Sequence, residues 1–319
     1  MVRAIYIMGS GRSGSTLLDR LLGMHPGIFS CGELSGLGRA LRSQNEHCAC
    51  GAAAADCPFW QAVLKRWRAR VDNHDIGEYE QLRAHMERPN SLLRPFRSRS
   101  LTELQIARYQ TYMQRLFDAI AHESGAWVVI DSSKGPRRAA ALAQLPGLQL
   151  TLIHLVRDPR GVALSYSKPL FKDAKTGVQR DMPGRDVART SIDWVRTNLS
   201  ANRVRRSAPD LSMLLRYEDL VSEPISRVGQ IGGLAGLKLG DAIENVLSGI
   251  RTEVATHMIA GNRMRMEKTL ELRPESAALN GLDLPRQVIV SLLTLPLLFA
   301  YDYPLKVSHD NSSAHGVRA

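Results

Sequence analysis

Arg3 to Met8, RAIYIM, is a short run of apolar and β-branched residues, the pattern of a strand buried on both faces of a parallel sheet. Beyond it, Leu17, Leu18, Leu21 and Leu22 fall on one face of a helix that Gly23 ends and Pro26 cannot continue. Between the two lies GSGRSGST, Gly9 to Thr16. Strand, glycine-rich turn and helix in that order aim several backbone N–H groups and the positive end of the helix dipole at one point, which makes a site for an anion. From Glu33 to about Gly125 the apolar positions keep helical spacing, in SGLGRALRS, PFWQAVLKRWRARV and LTELQIARYQTYMQRLFDAIAHE. Strands return at WVVID (127–131), LTLIHLV (150–156) and SMLLRY (212–217). Strands alternating with helices predict an α/β fold: a P-loop-type central parallel sheet flanked by helices, with ligands gathered at the carboxyl ends of the strands. No internal repeat or low-complexity linker divides the chain. We therefore expect one domain over residues 1–304, with a helical cap inserted at about 35–125, and a polar, disordered tail over 305–319.

Composition adds limits. The chain has 319 residues, 44% hydrophobic and 23% charged, which is ordinary for a globular protein with a sizeable core. Its formal charge of +11 comes mainly from arginine, in KRWRAR (65–70), RPFRSR (94–99), PRR (136–138) and RVRR (203–206). Such runs read first as solvated helix faces, and otherwise as surfaces for an acidic ligand, nucleic acid or membrane. The longest apolar run, VIVSLLTLPLLFA (288–300), is shorter than the ~20 residues a bilayer needs and contains Pro296, so a buried C-terminal helix followed by a short extended segment is expected rather than a membrane span. No signal-peptide pattern precedes the first strand, and a cytoplasmic location is expected. Three of the four cysteines, Cys48, Cys50 and Cys57, lie together in HCACGAAAADCPFW beside His47. Zinc is one reading, but the paired C-x-x-C knuckles of a zinc site are missing, so structural packing or a redox-sensitive pair is expected instead.

The loop has the Gly-x-x-x-x-Gly-x-Ser/Thr frame of a P-loop, yet Ser15 stands where a nucleotide triphosphatase keeps its lysine. A kinase reading with ATP and magnesium would have to enlist Lys134 and Asp131 instead. A binder of nucleic acid would use the arginine runs and leave the anion loop unexplained. Three other stretches end strands: Asp131-Ser-Ser-Lys134, LVRDPRGVALSYS with Arg157 at the strand end and Ser165 on the helix begun near Pro159, and LRYEDLVSEP (215–224). Taken singly, Arg157 with Asp158 reads as a surface ion pair, Ser165 as a self-satisfied helical serine and Tyr217 as a rim residue.

Together, RSGST, RDPRGVALS, RYEDLVSEP and the late HMIAGNRMR resemble, in order and over nearly the whole chain, the sulfotransferases that use 3′-phosphoadenosine 5′-phosphosulfate (PAPS). The resemblance leans to the carbohydrate and tyrosylprotein branch. It implies that Arg12 supplies a cation to the donor and that Gly11, Ser13, Gly14, Ser15 and Thr16 hold the 5′-phosphosulfate. It implies a 3′-phosphate site at Arg157 and Ser165, an adenine contact at Tyr217, and a closing segment with His257, Asn262, Arg263 and Arg265. The family's aromatic after that segment has no counterpart in LRPESAALNGLDLP. A hydroxyl acceptor needs a base, and Glu33 in Ser30-Cys-Gly-Glu33 matches the family's glutamate, with His25 and His154 as alternatives. Lys134 matches a lysine near the donor's bridging oxygen and would steady the departing bisphosphate. The activity so implied is sulfuryl transfer to a carbohydrate, nucleoside derivative or other small-molecule natural product, with PAPS as the donor, no metal and no nucleic-acid partner. Residues 35–125 and the loop 168–186 are expected to shape the acceptor pocket, with Leu92, Leu93 and Phe96 offering apolar surface.

Overall fold

The computed structural model describes residues 2–43, 45–72, 75–87, 101–173, 176–178, 181–239, 257–267, 270 and 281–305. Five strands form one wholly parallel sheet in the order β2-β3-β1-β4-β5: β1 Val2–Met8, β2 Ile28–Ser30, β3 Val128–Lys134, β4 Leu148–Val156 and β5 Ser212–Arg216. β1 lies at the centre, with Ile5 opposite Ile130 on one side and Thr151 on the other.

Successive side chains of β1 point to opposite faces, so the strand seeds two cores. Ile5 and Ile7 pack with Leu18, Leu21 and Leu22 of α1 (Ser15–Leu22) and with Val228 and Ile231 of a later helix, Pro224–Ala235. Ala4, Tyr6 and Met8 pack on the other face with Trp60 and Trp67 of a helix over Pro58–Arg68 and with Tyr109, Met113, Leu116 and Phe117 of another over Glu103–Ser124. The helical segment read as a cap therefore supplies one of the two layers that bury the sheet. Among the described residues the helices are, in chain order, α1, α2 (Leu37–Arg42), α3 (Pro58–Arg68), α4 (Ile76–Met86), α5 (Glu103–Ser124), α6 (Pro136–Leu142), α7 (Pro159–Ser167), α8 (Val187–Ser207), α9 (Tyr217–Ser222), α10 (Pro224–Ala235) and α11 (Leu284–Ala300). A third cluster forms at the carboxyl end of β4, where Val156 and Val162 meet Trp194, Leu297, Leu298 and Tyr301.

Several elements differ from the sequence pattern. β2 has three residues, too few for a visible alternation, and it forms because β3 offers it a pairing edge. Tyr217 begins α9 rather than ending β5. The run at 288–300 is helical throughout, because α11 continues past Pro296 to Ala300, and its outer face leaves Leu292 67% and Phe299 61% exposed. Among the described residues no helix is long and apolar enough to cross a membrane. PRR is not solvated: Arg138 is 1% exposed, with Nε on Asp131 at 2.6 Å and Nη1 on Glu87 at 2.6 Å and on the Tyr79 hydroxyl at 3.2 Å. The run RPFRSR, the residues Leu92, Leu93 and Phe96, and 306–319 of the expected tail lie outside the described residues.

Candidate active site

The carboxyl ends of β1, β3 and β4 meet at the glycine loop, and the backbone there is held in unusual conformations. Gly14 caps α1 at φ 90°, and a Cβ at this position would fall 2.4 Å from the Tyr217 ring. A Cβ on Gly11 would fall 2.1 Å from the Tyr166 hydroxyl oxygen. Only glycine lets the loop pass between these two tyrosines. Ser13, Ser15 and Thr16 are buried, at 1%, 4% and 7% exposure, and the Ser13 hydroxyl has no hydrogen-bond partner within the protein. A buried hydroxyl without a partner is costly unless a ligand supplies one.

Five described residues other than glycine have positive φ, and three of them, Arg12 (65°), Lys134 (69°) and Ala260 (54°), lie on the segments that converge here. Left-handed backbone at such residues costs roughly 1–3 kcal/mol each, and strain of this kind concentrates at active sites and ligand clamps. Lys134 joins two of these segments. Its carbonyl accepts the Gly9 N–H at 3.0 Å, and its ammonium pairs with the Glu33 carboxylate. Glu33 is held in turn by the late segment: its N–H donates to Ile259 at 2.9 Å, the Ile259 N–H donates to Cys31 at 2.8 Å, and Gly32 and Ile259 form a parallel bridge. The expected general base, the expected cation and the phosphate loop are thus contiguous.

On the other side of the loop, Arg157 donates from Nη1 to the Arg12 carbonyl at 2.9 Å and stacks its guanidinium 4.7 Å from the Tyr217 ring centroid. Asp158, beside it, caps α7 and takes Arg160 at 2.5 Å. Ser165 is half-buried on α7. Its neighbour Tyr166, which sequence reasoning passed over, lies 5.5 Å below the Arg12 guanidinium and 5.0 Å from that of Arg185. The one available signal was its position beside Ser165.

The late segment divides by role. Asn262 caps a short turn by accepting from Met264 N–H at 3.0 Å, and Arg263 is exposed. Arg265, expected at the nucleotide, is 2% exposed, and its guanidinium donates to the carbonyls of Gly177, Gly261, Asn262 and His47. It ties Gly177 and the cysteine segment to the late segment, and burial lowers its pKa. Beneath the loop, Asp19 of α1 is wholly buried, accepts from Ser132 at 2.6 Å, and offers its backbone carbonyl to Ser30 at 2.9 Å. Burial pushes its carboxyl up from 3.8 to about 7.

The alternative bases stand elsewhere. His154 is fully buried, bonds Asn198 at 2.9 Å, and is driven down to about 4 by burial, so it is a core residue. The His25 ring nitrogen accepts from Gly27 N–H at 3.1 Å within a turn. Asp131, which a magnesium-dependent kinase would need, has one oxygen on Arg138 and the other on Ser133, at 0% exposure. Finally, Cys48, Cys50 and Cys57 are joined by His257, with ligand atoms all within 4.8 Å of one another.

The model of the "Sulfotransferase family" matches residues 4–241. Human carbohydrate sulfotransferase 1 is 33% identical over 108 residues, 31% of this chain and 26% of that protein, so the likeness spans about a quarter of the relative. Two solved structures share the fold along nearly the whole chain. The sulfotransferase domain of the olefin synthase of Synechococcus PCC 7002 has a TM-score of 0.53 at 22% identity, covering 95% of this chain and 96% of that one. The sulfotransferase domain from the curacin biosynthetic pathway has a TM-score of 0.53 at 18% identity, covering 96% and 99%.

Proposed function

The chain belongs to the sulfotransferase family, transferases that draw on PAPS, and we propose that it moves a sulfuryl group from PAPS to a hydroxyl of a carbohydrate, nucleoside derivative or other small-molecule natural product, within a single domain over residues 1–304. The observation that carries the reading is the Lys134 junction, in which one residue bonds the phosphate loop through its carbonyl and Glu33 through its ammonium. An anion loop beside a carboxylate that already has a cation suits transfer of an anionic group to a hydroxyl. An ATP-dependent phosphotransferase is disfavoured because Ser15 replaces the loop lysine and the oxygens of Asp131 are engaged.

The residues fit such a donor. The unpartnered Ser13 hydroxyl and the helix N-terminus behind Gly14 suit the oxygens of a 5′-phosphosulfate. Gly11, Ser15 and Thr16 complete the cradle, and Arg12 adds a positive charge. Arg157, with Ser165 on the same side of the loop, is assigned to the 3′-phosphate, and the planar guanidinium is suited to several oxygens at once. Tyr217, which already carries Arg157 on its face, is assigned to the adenine. Asn262 and Arg263 are assigned to the segment that closes over the donor, whereas the carbonyl-bound guanidinium of Arg265 is assigned a bracing role. When bound, PAPS supplies an activated sulfuryl group on a bisphosphate leaving group. Glu33 accepts the proton of the acceptor hydroxyl as that oxygen bonds to sulfur, a role worth about 10²–10⁴ in rate. Lys134 sets positive charge against the departing bisphosphate.

The partial likeness to a carbohydrate sulfotransferase supports a sugar hydroxyl as acceptor. Radiolabelled PAPS incubated with panels of sugars, nucleosides and phenolic natural products tests the reading. Label is expected on a hydroxyl compound, and no consumption of PAPS with any acceptor overturns it.

A further inference from the structure

The cysteine segment is not explained by the transfer reaction. Residues 47–53 form a small hairpin, in which His47 bridges Ala53, the Cys48 N–H donates to Ala52 at 2.9 Å, and the chain turns at Gly51 with φ 92°. Cys48 and Cys50 lie on that turn, and Cys57 is the N-cap of α3. His257 arrives from 200 residues further along and points Nδ1 at the sulfurs of Cys57 (3.3 Å) and Cys48 (3.6 Å). The sulfurs of Cys50 and Cys57 are 3.7 Å apart.

We propose that Cys48, Cys50, Cys57 and His257 bind one zinc ion that fastens the late segment 257–262 to the cysteine hairpin. The spacing argues for it. A tetrahedral zinc with Zn–S near 2.3 Å and Zn–N near 2.0 Å places its ligand atoms about 3.8 Å apart for two sulfurs and about 3.6 Å apart for sulfur and nitrogen. The three separations above match those edges, and all four atoms lie within 4.8 Å of one another. Three thiolates and an imidazole are a set that zinc prefers over the hard cations. A disulfide does not account for the arrangement. It brings two sulfurs to about 2.05 Å and gives no reason for a histidine to converge on the remaining thiol, and all four cysteines of the chain are free.

The surroundings hold the ligands in place, as a metal site requires. The His257 ring stacks on Phe59 at 4.8 Å and 12°, its carbonyl accepts the Trp60 indole N–H at 2.8 Å, and the Ala49 N–H bonds Met258 at 3.0 Å. Four protein ligands leave no open position, so the ion is structural and not the seat of a reaction. Its consequence lies two residues on, where Ile259 carries the backbone bonds to Cys31 and Glu33. The ion acts on the site by positioning. The assignment stands on these residues alone and does not depend on which donor or acceptor the protein uses.

The test is metal content. Full-length protein purified without chelator is expected to hold one zinc per chain by mass spectrometry. Cobalt(II) in its place should show thiolate charge-transfer absorption and the intense visible bands of tetrahedral coordination. Cys50→Ser removes an exposed ligand, so its fold should survive, and His257→Ala removes the ligand from the late segment. Each is expected to weaken zinc at least about tenfold in competition with a colorimetric chelator, with unchanged circular dichroism. Removing zinc from the wild type should also speed proteolysis within 257–267. Wild type that binds zinc no more tightly than Cys50→Ser overturns the proposal. So does a cobalt spectrum without thiolate bands, or a Cys50–Cys57 disulfide in freshly purified protein.

Discussion

Replacing Asp19 with Asn tests whether the buried carboxyl under the phosphate loop is neutral in the folded protein. Asp19 is completely buried, and that burial lifts its pKa from 3.8 to about 7. A carboxyl whose folded pKa is raised adds stability that is fully present below about pH 4 and is lost as the pH climbs through about 7. With about 1.36 kcal/mol per unit, a rise of about three units amounts to about 4 kcal/mol between those limits. Asparagine keeps the acceptor for Ser132 and carries no titrating proton. Its amide nitrogen takes the place of Oδ1, which has no partner, and adds an offset that does not change with pH. Urea unfolding of both proteins at intervals from about pH 4 to about pH 8 isolates the effect, because other titrating groups cancel in the difference. The wild type should lose stability relative to Asp19→Asn by about 3–5 kcal/mol as the pH rises, mostly between about pH 4 and pH 7. A difference that stays flat to within about 1 kcal/mol over that range would mean that the folded protein holds Asp19 ionised throughout.

Three substitutions probe the site and its frame. Gly14→Ala adds strain at φ 90° and a Cβ 2.4 Å from the Tyr217 ring, so donor-product affinity should fall by about 30-fold or more in calorimetry, about 2 kcal/mol; wild-type affinity would contradict the cradle. Glu33→Gln should leave affinity for 3′-phosphoadenosine 5′-phosphate within a few-fold of wild type while slowing single-turnover transfer about 10²–10⁴-fold, and unchanged turnover would remove it as the base. Arg138→Met strands the buried carboxylates of Asp131 and Glu87, and should cost about 3–5 kcal/mol of stability in urea unfolding.

What could be read from the sequence was what is local. The first strand, the glycine loop and α1 are contiguous, and a strand, a turn and a helix each leave their own period in the residues. Later strands were recognisable because burial on both faces makes them uniformly apolar, whereas β2 with three residues has no period to see. Arg138 looked like part of a solvated run because its partners, Asp131 and Glu87, approach only when α6 packs on the sheet beside α4. The same limit hid the part of His257: the cysteines were weighed with His47 as a zinc group, but the histidine that converges on them lies 200 residues beyond Cys57. Arg265 was grouped with the donor site by its neighbourhood in HMIAGNRMR, but its guanidinium is engaged by backbone carbonyls that the fold brings to it. The Glu33–Lys134 junction was foreseen as two separate roles, and the pairing between them emerged only from the parallel alignment of β3 with the segment after β2.

We propose that the glycine loop and Arg157 hold a nucleotide with phosphates on both its 3′ and 5′ sides. Calorimetric titration of the full chain with 3′-phosphoadenosine 5′-phosphate, against 5′-AMP and magnesium ATP, tests it most directly. Binding should be tight and need no magnesium, and loss of the 3′-phosphate should weaken it by about 10- to 150-fold, since a charged hydrogen-bonded group contributes about 1.5–3 kcal/mol. Equal affinity for 5′-AMP, or a preference for magnesium ATP, would contradict it.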